Sequence, residues 1–184
     1  MRAIQCYSSR PMTEGRGASG LFGDSGEIFL DEHVRLCMVL SALQWRRLNG
    51  PITLYTDTPM KRYLEKHKLL SYWDDVDTEV LDRFYEECGV INFSVFWSAG
   101  KFACYLHEEA PFVCIDTDLI VWDTLEFDEG LDFAFAHWEQ IEAGDESYPD
   151  VSRIHKPDGY KDGYQKGRRN MRCRRSYIWS RGFR

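Results

Sequence analysis

Two aspartates, one residue apart at the end of an apolar run, are the residues of this sequence best suited to hold a metal ion. The stretch "PFVCIDTDLIVWDTL" (111–125) places Asp116 and Asp118 directly after "PFVCI". In extended backbone, residues i and i+2 point to the same side, so the two carboxylates should point together. Two such close charges repel each other unless a cation lies between them. Oxygen ligands suit Mg²⁺ or Mn²⁺, which keep other positions for water and phosphate.

The alternative interpretation of Asp116 and Asp118 is a solvated acidic turn after a strand, because D-x-D occurs often in proteins. Their position at the end of an apolar strand favours the metal site. The elements around the pair decide what else could reach such a metal.

Strands and helices alternate along the chain. Helix caps and dipole-compatible charges mark the helices, and apolar runs mark the strands. The predicted strands are 2–7, 52–56, 111–115 and 131–138, and the predicted helices are 31–48, 58–70 and 94–110. In the helix at 58–70, Thr58 is the predicted N-cap and Pro59 the first helical residue. Residues 71–93 give no clear pattern, and a Gly-rich loop at 14–26 lacks the GKS or GKT of a P-loop.

This order predicts an α/β fold with a mainly parallel open sheet and flanking helices. Ligands of such sheets bind beyond the carboxyl ends of the strands. Polar residues follow three predicted strands: Ser8 the first, Asp57 the second and Asp116 the third. In a parallel sheet these residues converge on one edge.

Two further residues have competing interpretations. Lys101 lies off the apolar stripe predicted for its helix, so it is either a solvated lysine or a ligand-binding one. The predicted stripe consists of Phe96, Ala99, Phe102, Ala103 and Leu106. Asp57 either binds ligand or supports the helix start at Thr58. His137 and Glu139 alternate after the last predicted strand and could contact an acceptor, although a strand-end His is more often structural.

Charge divides the 184-residue chain at about residue 150. Residues 1–150 hold 12 Lys or Arg and 28 Asp or Glu, whereas residues 151–184 hold 11 and 2. The acidic part argues against a nucleic-acid binder. No apolar stretch is long enough to span a membrane, and no secretory signal is visible. Cysteines 37, 104 and 114 lie in apolar patterns, which favours reduced core thiols and a cytoplasmic protein.

The sequence "FWSAGKFACYLHEEAPFVCIDTDLIVWDTL" (96–125) resembles the DxD block of nucleotide-sugar-dependent glycosyltransferases of the GT-A fold, in particular the bacterial capsule and sugar-binding DxD type. "GPITLYTDTPMKRYL" (50–64) is similar to the second strand and helix of that fold. The resemblance covers about residues 2–138. Two positions depart from the family pattern: Ser98 replaces an acidic residue, and Ala110-Pro111 replaces a Gly-Gly pair.

The resemblance implies that Asp116 and Asp118 hold Mn²⁺ or Mg²⁺ against the diphosphate of a UDP- or GDP-linked sugar donor. Lys101 would lie near the donor sugar, and Asp57, Tyr7 and Ser8 would lie near the nucleoside. The acceptor would be a glycan or a lipid-linked molecule, and the protein would be cytoplasmic or peripheral at the inner face of the membrane. No residue is identified as catalytic.

On this interpretation residues 1–150 form a donor-binding domain and residues 151–184 form a basic tail. GT-A enzymes are usually longer, so we expect a truncated transferase whose residues beyond about 167 pack poorly. The segment "GRRNMRCRRSYIWSRGFR" shows neither helical nor alternating periodicity. The alternative is a basic arm for nucleic acid or anionic lipid.

Two other functions remain open. One is a non-catalytic or degenerate module that binds the nucleotide sugar without transferring it. The other is a haloacid-dehalogenase-type phosphatase, in which the first aspartate of D-x-D is the nucleophile. Leu119, Ile120 and Val121 follow the pair here, deep in the chain, which disfavours the phosphatase.

Overall fold

A computed structural model describes residues 1–11, 27–93, 96–127, 133–140 and 171–180, the last two segments by their backbone. The strands are β1 (Ala3–Cys6), β2 (Ile52–Tyr55), β3 (Asp75–Asp77), β4 (Phe112–Ile115), β5 (Phe133–Gln140) and β6 (Met171–Ser180). The helices are α1 (Glu32–Leu48), α2 (Thr58–Lys66), α3 (Glu79–Glu87) and α4 (Ala99–His107), with a 3-10 turn at Leu70–Tyr72.

The strands form one sheet in the order β3-β2-β1-β4-β6-β5. Strands β1 to β4 are mutually parallel, and β6 runs antiparallel to both β4 and β5. The predicted α/β fold with a mainly parallel sheet and flanking helices is therefore confirmed.

Each face of the parallel part of the sheet is covered by a pair of helices. On one face, α1 and α2 bury Trp45 and Leu64 against Ala3 and Val113. On the other, α3 and α4 pack against the alternate strand residues, such as Ile4 and Cys114. This alternation along β1 and β4 is the period-two pattern of strands that are buried on both faces.

Segment boundaries differ from the predictions most at α2 and at α4, which spans Ala99–His107 and not 94–110. The N-cap of α2 is Asp57 and not Thr58, because the Asp57 side chain accepts a hydrogen bond from the Met60 N–H. The helix ends at Lys66 and not near Leu70. The unassigned stretch 71–93 contains the three-residue strand β3 and the nine-residue helix α3.

The predicted apolar stripe of α4 was right at Ala99, which is buried, and at Ala103, which packs against the core, but wrong at its three large residues. The buried residues of α4 are Ala99, Gly100, Cys104 and Tyr105. Leu106 is 85% exposed, and Phe96 and Phe102 are exposed as well. Small residues face the sheet and α3 because the helix approaches closely: a Cβ at Gly100 would lie 2.8 Å from the Tyr85 hydroxyl.

The predicted last strand exists as β5, and residues 171–180 add a strand that the sequence did not predict. Strand β6 lies between β4 and β5, with Val113 opposite Trp179 and Ala134 opposite Trp179 on its other side. The backbone of this segment pairs with two neighbours. The expectation that residues beyond about 167 pack poorly concerns side chains outside the description, and it stays a prediction. The boundary expected at residue 150 lies outside the described residues and stays a prediction.

Two of the three cysteines expected to be core thiols are buried. Cys104 and Cys114 are buried free thiols, whereas Cys37 is only half-buried. Burial raises the pKa of Cys114 to about 12, so that its thiol stays protonated near neutral pH. None of the helices in the described part of the chain is both long and apolar enough to cross a membrane.

Candidate functional site

The strand order reverses between β1 and β4. From β1 the chain adds β2 and then β3 on one side, and it returns to add β4 on the other side of β1. Open α/β sheets bind ligands at this kind of reversal point, because the connections leave the two strand ends in opposite directions. Tyr7 and Ser8 follow β1 there, and Asp116 and Asp118 follow β4. The predicted convergence of polar residues on one edge is confirmed.

The two aspartates belong to a turn and not to extended backbone. Strand β4 ends at Ile115, and the Leu119 N–H donates to the Asp116 carbonyl at 3.0 Å. The extended backbone on which the alternation argument rested is therefore replaced by a turn at residues 116–119, here called the aspartate turn. That the two carboxylates point together stays a prediction. Asp118 is exposed, and Asp116 is half-buried.

A buried polar network holds the aspartate turn. Gln5 is fully buried, and its Nε2 donates to Ser41 Oγ at 2.8 Å and lies 3.4 Å from the Asp116 carbonyl oxygen. Ser41 Oγ donates to the Leu119 carbonyl at 2.5 Å, and Trp73 Nε1 donates to Gln5 Oε1 at 2.7 Å. Sequence reasoning missed this role. The available signal was a glutamine in the middle of the apolar β1.

Both carboxylate oxygens of Asp57 accept hydrogen bonds from other groups of the protein. Its Oδ2 accepts from the Ser9 N–H at 2.8 Å, from Ser9 Oγ at 2.7 Å and from the Arg10 N–H at 3.1 Å. Its Oδ1 accepts from the Met60 N–H at 3.1 Å. Asp57 is 3% exposed. Of its two predicted roles, this geometry matches support for the helix start, and it also fixes the chain after β1.

Tyr7 and Ser8 lie at the carboxyl end of β1, in different surroundings. Ser8 Oγ is buried and lies 2.6 Å from the Tyr85 hydroxyl of α3. Burial raises the pKa of Tyr7 to about 12, with smaller contributions from Tyr63 and from the charge of Asp118. Tyr7 is therefore a neutral hydroxyl near Asp118 at ordinary pH.

Lys101 of α4 forms an ion pair with Asp116. The ammonium contacts Asp116 Oδ1, with the two side chains 17% and 28% exposed. Burial is the largest single influence and would lower the pKa of Lys101. The charge and hydrogen bond of Asp116 and the nearby Cys114 and Cys6 together outweigh it and leave the pKa above its ordinary value. The ammonium also lies 5.8 Å from the centre of the exposed Trp97 ring. The structure thus brings together Tyr7, Lys101, Asp116 and Asp118 and assigns Asp57 to the scaffold.

The donor set at the aspartate turn suits a hard divalent cation with few protein ligands. Across the described ranges, no group of three or more His, Cys, Asp or Glu side chains is arranged to hold a metal. The turn offers two carboxylates, and Mg²⁺ is commonly held by one or two carboxylates together with substrate phosphates. Asp116 and Asp118 would therefore hold a cation whose remaining positions belong to water and phosphate.

The acceptor candidates lie in β5, where only the backbone is described. His137 pairs with Arg174 of β6, and Glu139 pairs with Arg172. Their side chains and the Gly-rich loop at 14–26 lie outside the described residues, so their roles stay predictions.

Comparisons of the chain with protein-family models, curated proteins and solved structures find no match.

Proposed function

We propose that the protein is a metal-dependent glycosyltransferase of the GT-A type that binds a UDP- or GDP-linked sugar between the ends of β1 and β4. The observation that supports this most is the position of the aspartate turn: two carboxylates lie at the reversal point of the strand order, with a lysine beside them. Asp57, on the other side of β1, is occupied by structural contacts.

Each residue of the site has a role in this proposal. Asp116 and Asp118 hold Mn²⁺ or Mg²⁺, which supplies positive charge to the leaving diphosphate when it is bound. Lys101 adds a second positive charge beside the donor. Tyr7, at the end of β1, orients the nucleoside through its neutral hydroxyl. The acceptor is a glycan or a lipid-linked molecule.

The test is calorimetric titration of UDP- and GDP-sugars in the presence of Mn²⁺, after a thermal-shift screen selects the donor. We expect Asp118→Asn, or EDTA, to weaken donor binding at least about tenfold, which corresponds to about 1.4 kcal/mol. The matched control is Asp75→Asn, because Asp75 is an exposed aspartate at the start of β3 and thus on the opposite edge of the sheet.

Unchanged donor affinity in the Asp118→Asn variant or in EDTA would refute the metal-dependent site. Turnover is assayed separately with glycan and lipid-linked acceptors. Donor binding without transfer would favour the non-catalytic module, and a phospho-aspartate trapped at Asp116 would favour the phosphatase.

A further inference from the structure

The two carboxylates of the aspartate turn are not equivalent. Asp116 contacts the Lys101 ammonium, and both side chains are largely shielded from water. Asp118 is exposed. A metal that binds both carboxylates would therefore compete with the Lys101 ammonium at Asp116, whereas at Asp118 it would bind an exposed carboxylate.

The two partners of the ion pair differ in freedom. The main chain of Asp116 is held by the Leu119 N–H and lies close to the buried Gln5 amide. Lys101 carries its charge on a flexible four-carbon stem. Separation of the pair is therefore expected to occur by movement of the lysine side chain, with the aspartate remaining in place.

The charges at the turn explain when this separation would be favourable. The two carboxylates of the turn and the Lys101 ammonium together carry one net negative charge. A divalent cation alone would change this to one net positive charge, with the ammonium and the metal competing for Asp116. The diphosphate of a sugar nucleotide carries two negative charges and would give Lys101 a second partner, which restores the original balance.

We propose that Lys101 is an exchangeable counter-ion: it pairs with Asp116 in the free protein and moves to the donor diphosphate when the metal binds Asp116. This inference rests on the proposed donor site. Metal and donor then bind cooperatively, each strengthening the binding of the other by the same factor, as linkage requires. The metal alone binds weakly because it must displace the lysine.

The first measurement is the affinity for Mn²⁺ alone, by calorimetry and by the loss of the free-Mn²⁺ electron paramagnetic resonance signal. We expect Lys101→Met to bind Mn²⁺ about tenfold more tightly than the wild-type protein. The matched control is Lys66→Met, which removes an exposed lysine paired with Glu27 at the far end of α2. Its Mn²⁺ affinity should equal that of the wild type. Lys101→Gln replaces Lys101→Met if the latter does not fold.

The second measurement is the affinity for the selected sugar nucleotide at saturating Mn²⁺. We expect Lys101→Met to weaken it about tenfold, so that the two effects have opposite signs. A merely structural lysine would not produce tighter metal binding together with weaker donor binding.

Two outcomes would overturn the inference in distinguishable ways. If Lys101→Met binds Mn²⁺ no more tightly than the wild type while Asp118→Asn binds it less tightly, the metal site stands and the exchange is wrong. If neither the wild type nor any variant binds Mn²⁺, with or without the sugar nucleotide, the proposed function fails as well.

Discussion

Aspartates follow two parallel strands, β2 and β4, that lie on either side of β1, and they differ in almost every physical respect. Asp57, after β2, is 3% exposed and accepts hydrogen bonds from Ser9, Arg10 and Met60. After β4, Asp116 is half-buried and contacts the ammonium of Lys101 from α4. Asp118 is exposed. The same residue type at the same kind of position serves the scaffold in one case and is proposed to bind a ligand in the other.

The difference shows that a strand-end carboxylate should be judged by the groups that satisfy it. Main-chain N–H groups cannot leave Asp57 without unfolding the loop after β1 and the first turn of α2. A lysine side chain can leave Asp116 by rotation of its own bonds. We therefore expect the same Asp→Asn change to lower the free energy of unfolding by different amounts at Asp57, Asp116 and Asp118.

The largest effect is expected for Asp57→Asn. An amide that keeps its oxygen toward Ser9 and Arg10 turns its NH₂ group toward the Met60 N–H, so two donors face each other in a buried place. We expect a loss of about 2–4 kcal/mol in the free energy of unfolding. Urea denaturation with linear extrapolation measures it. A loss below about 1 kcal/mol would remove the distinction drawn between the two sites.

An intermediate effect is expected for Asp116→Asn. The amide oxygen can still accept from Lys101, but the ammonium loses its counter-charge in surroundings that are only partly open to water. We expect a loss of about 1–2 kcal/mol, between the values typical of exposed and of buried pairs. The double variant with Lys101→Met gives the coupling energy in a mutant cycle, and zero coupling would show that the pair contributes nothing in solution.

The smallest effect is expected for Asp118→Asn, which changes an exposed carboxylate. The free energy of unfolding should stay within about 0.5 kcal/mol of the wild-type value. The same urea titrations measure it. A loss as large as that of Asp57→Asn would place Asp118 in the scaffold and would also invalidate its use as a probe of donor binding.

The parallel sheet and the edge where its polar residues meet were predictable, because they depend on local patterns. Apolar runs at residues 3–6, 52–55 and 112–115 end in polar residues, and the alternation of strands and helices implies parallel order. The details of the site were not predictable in this way. A turn at residues 116–119 depends on contacts from Gln5 and Ser41, which are distant in sequence.

Helix α4 shows why local patterns failed elsewhere. The prediction used residue hydrophobicity, and three of its five residues, Phe96, Phe102 and Leu106, are exposed. The other two are the small residues Ala99 and Ala103. The packed face is made mostly of small residues because α3 and the sheet come close to it. The distance between two elements cannot be read from the hydrophobic periodicity of either one. Strand β6 escaped prediction for a related reason: its pairing partners, not its own pattern, define it.

The close approach at Gly100 has an evolutionary consequence. Gly100 precedes Lys101 and faces the Tyr85 hydroxyl, which in turn lies against Ser8 at the end of β1. A single methyl group added at Gly100 would have to displace either that hydroxyl or the helix that carries the lysine. A lineage could therefore lose the alignment of Lys101 with Asp116 while retaining every polar residue of the site. A comparison restricted to the polar residues of the site would not detect such a change, because the added methyl group contains only carbon and hydrogen.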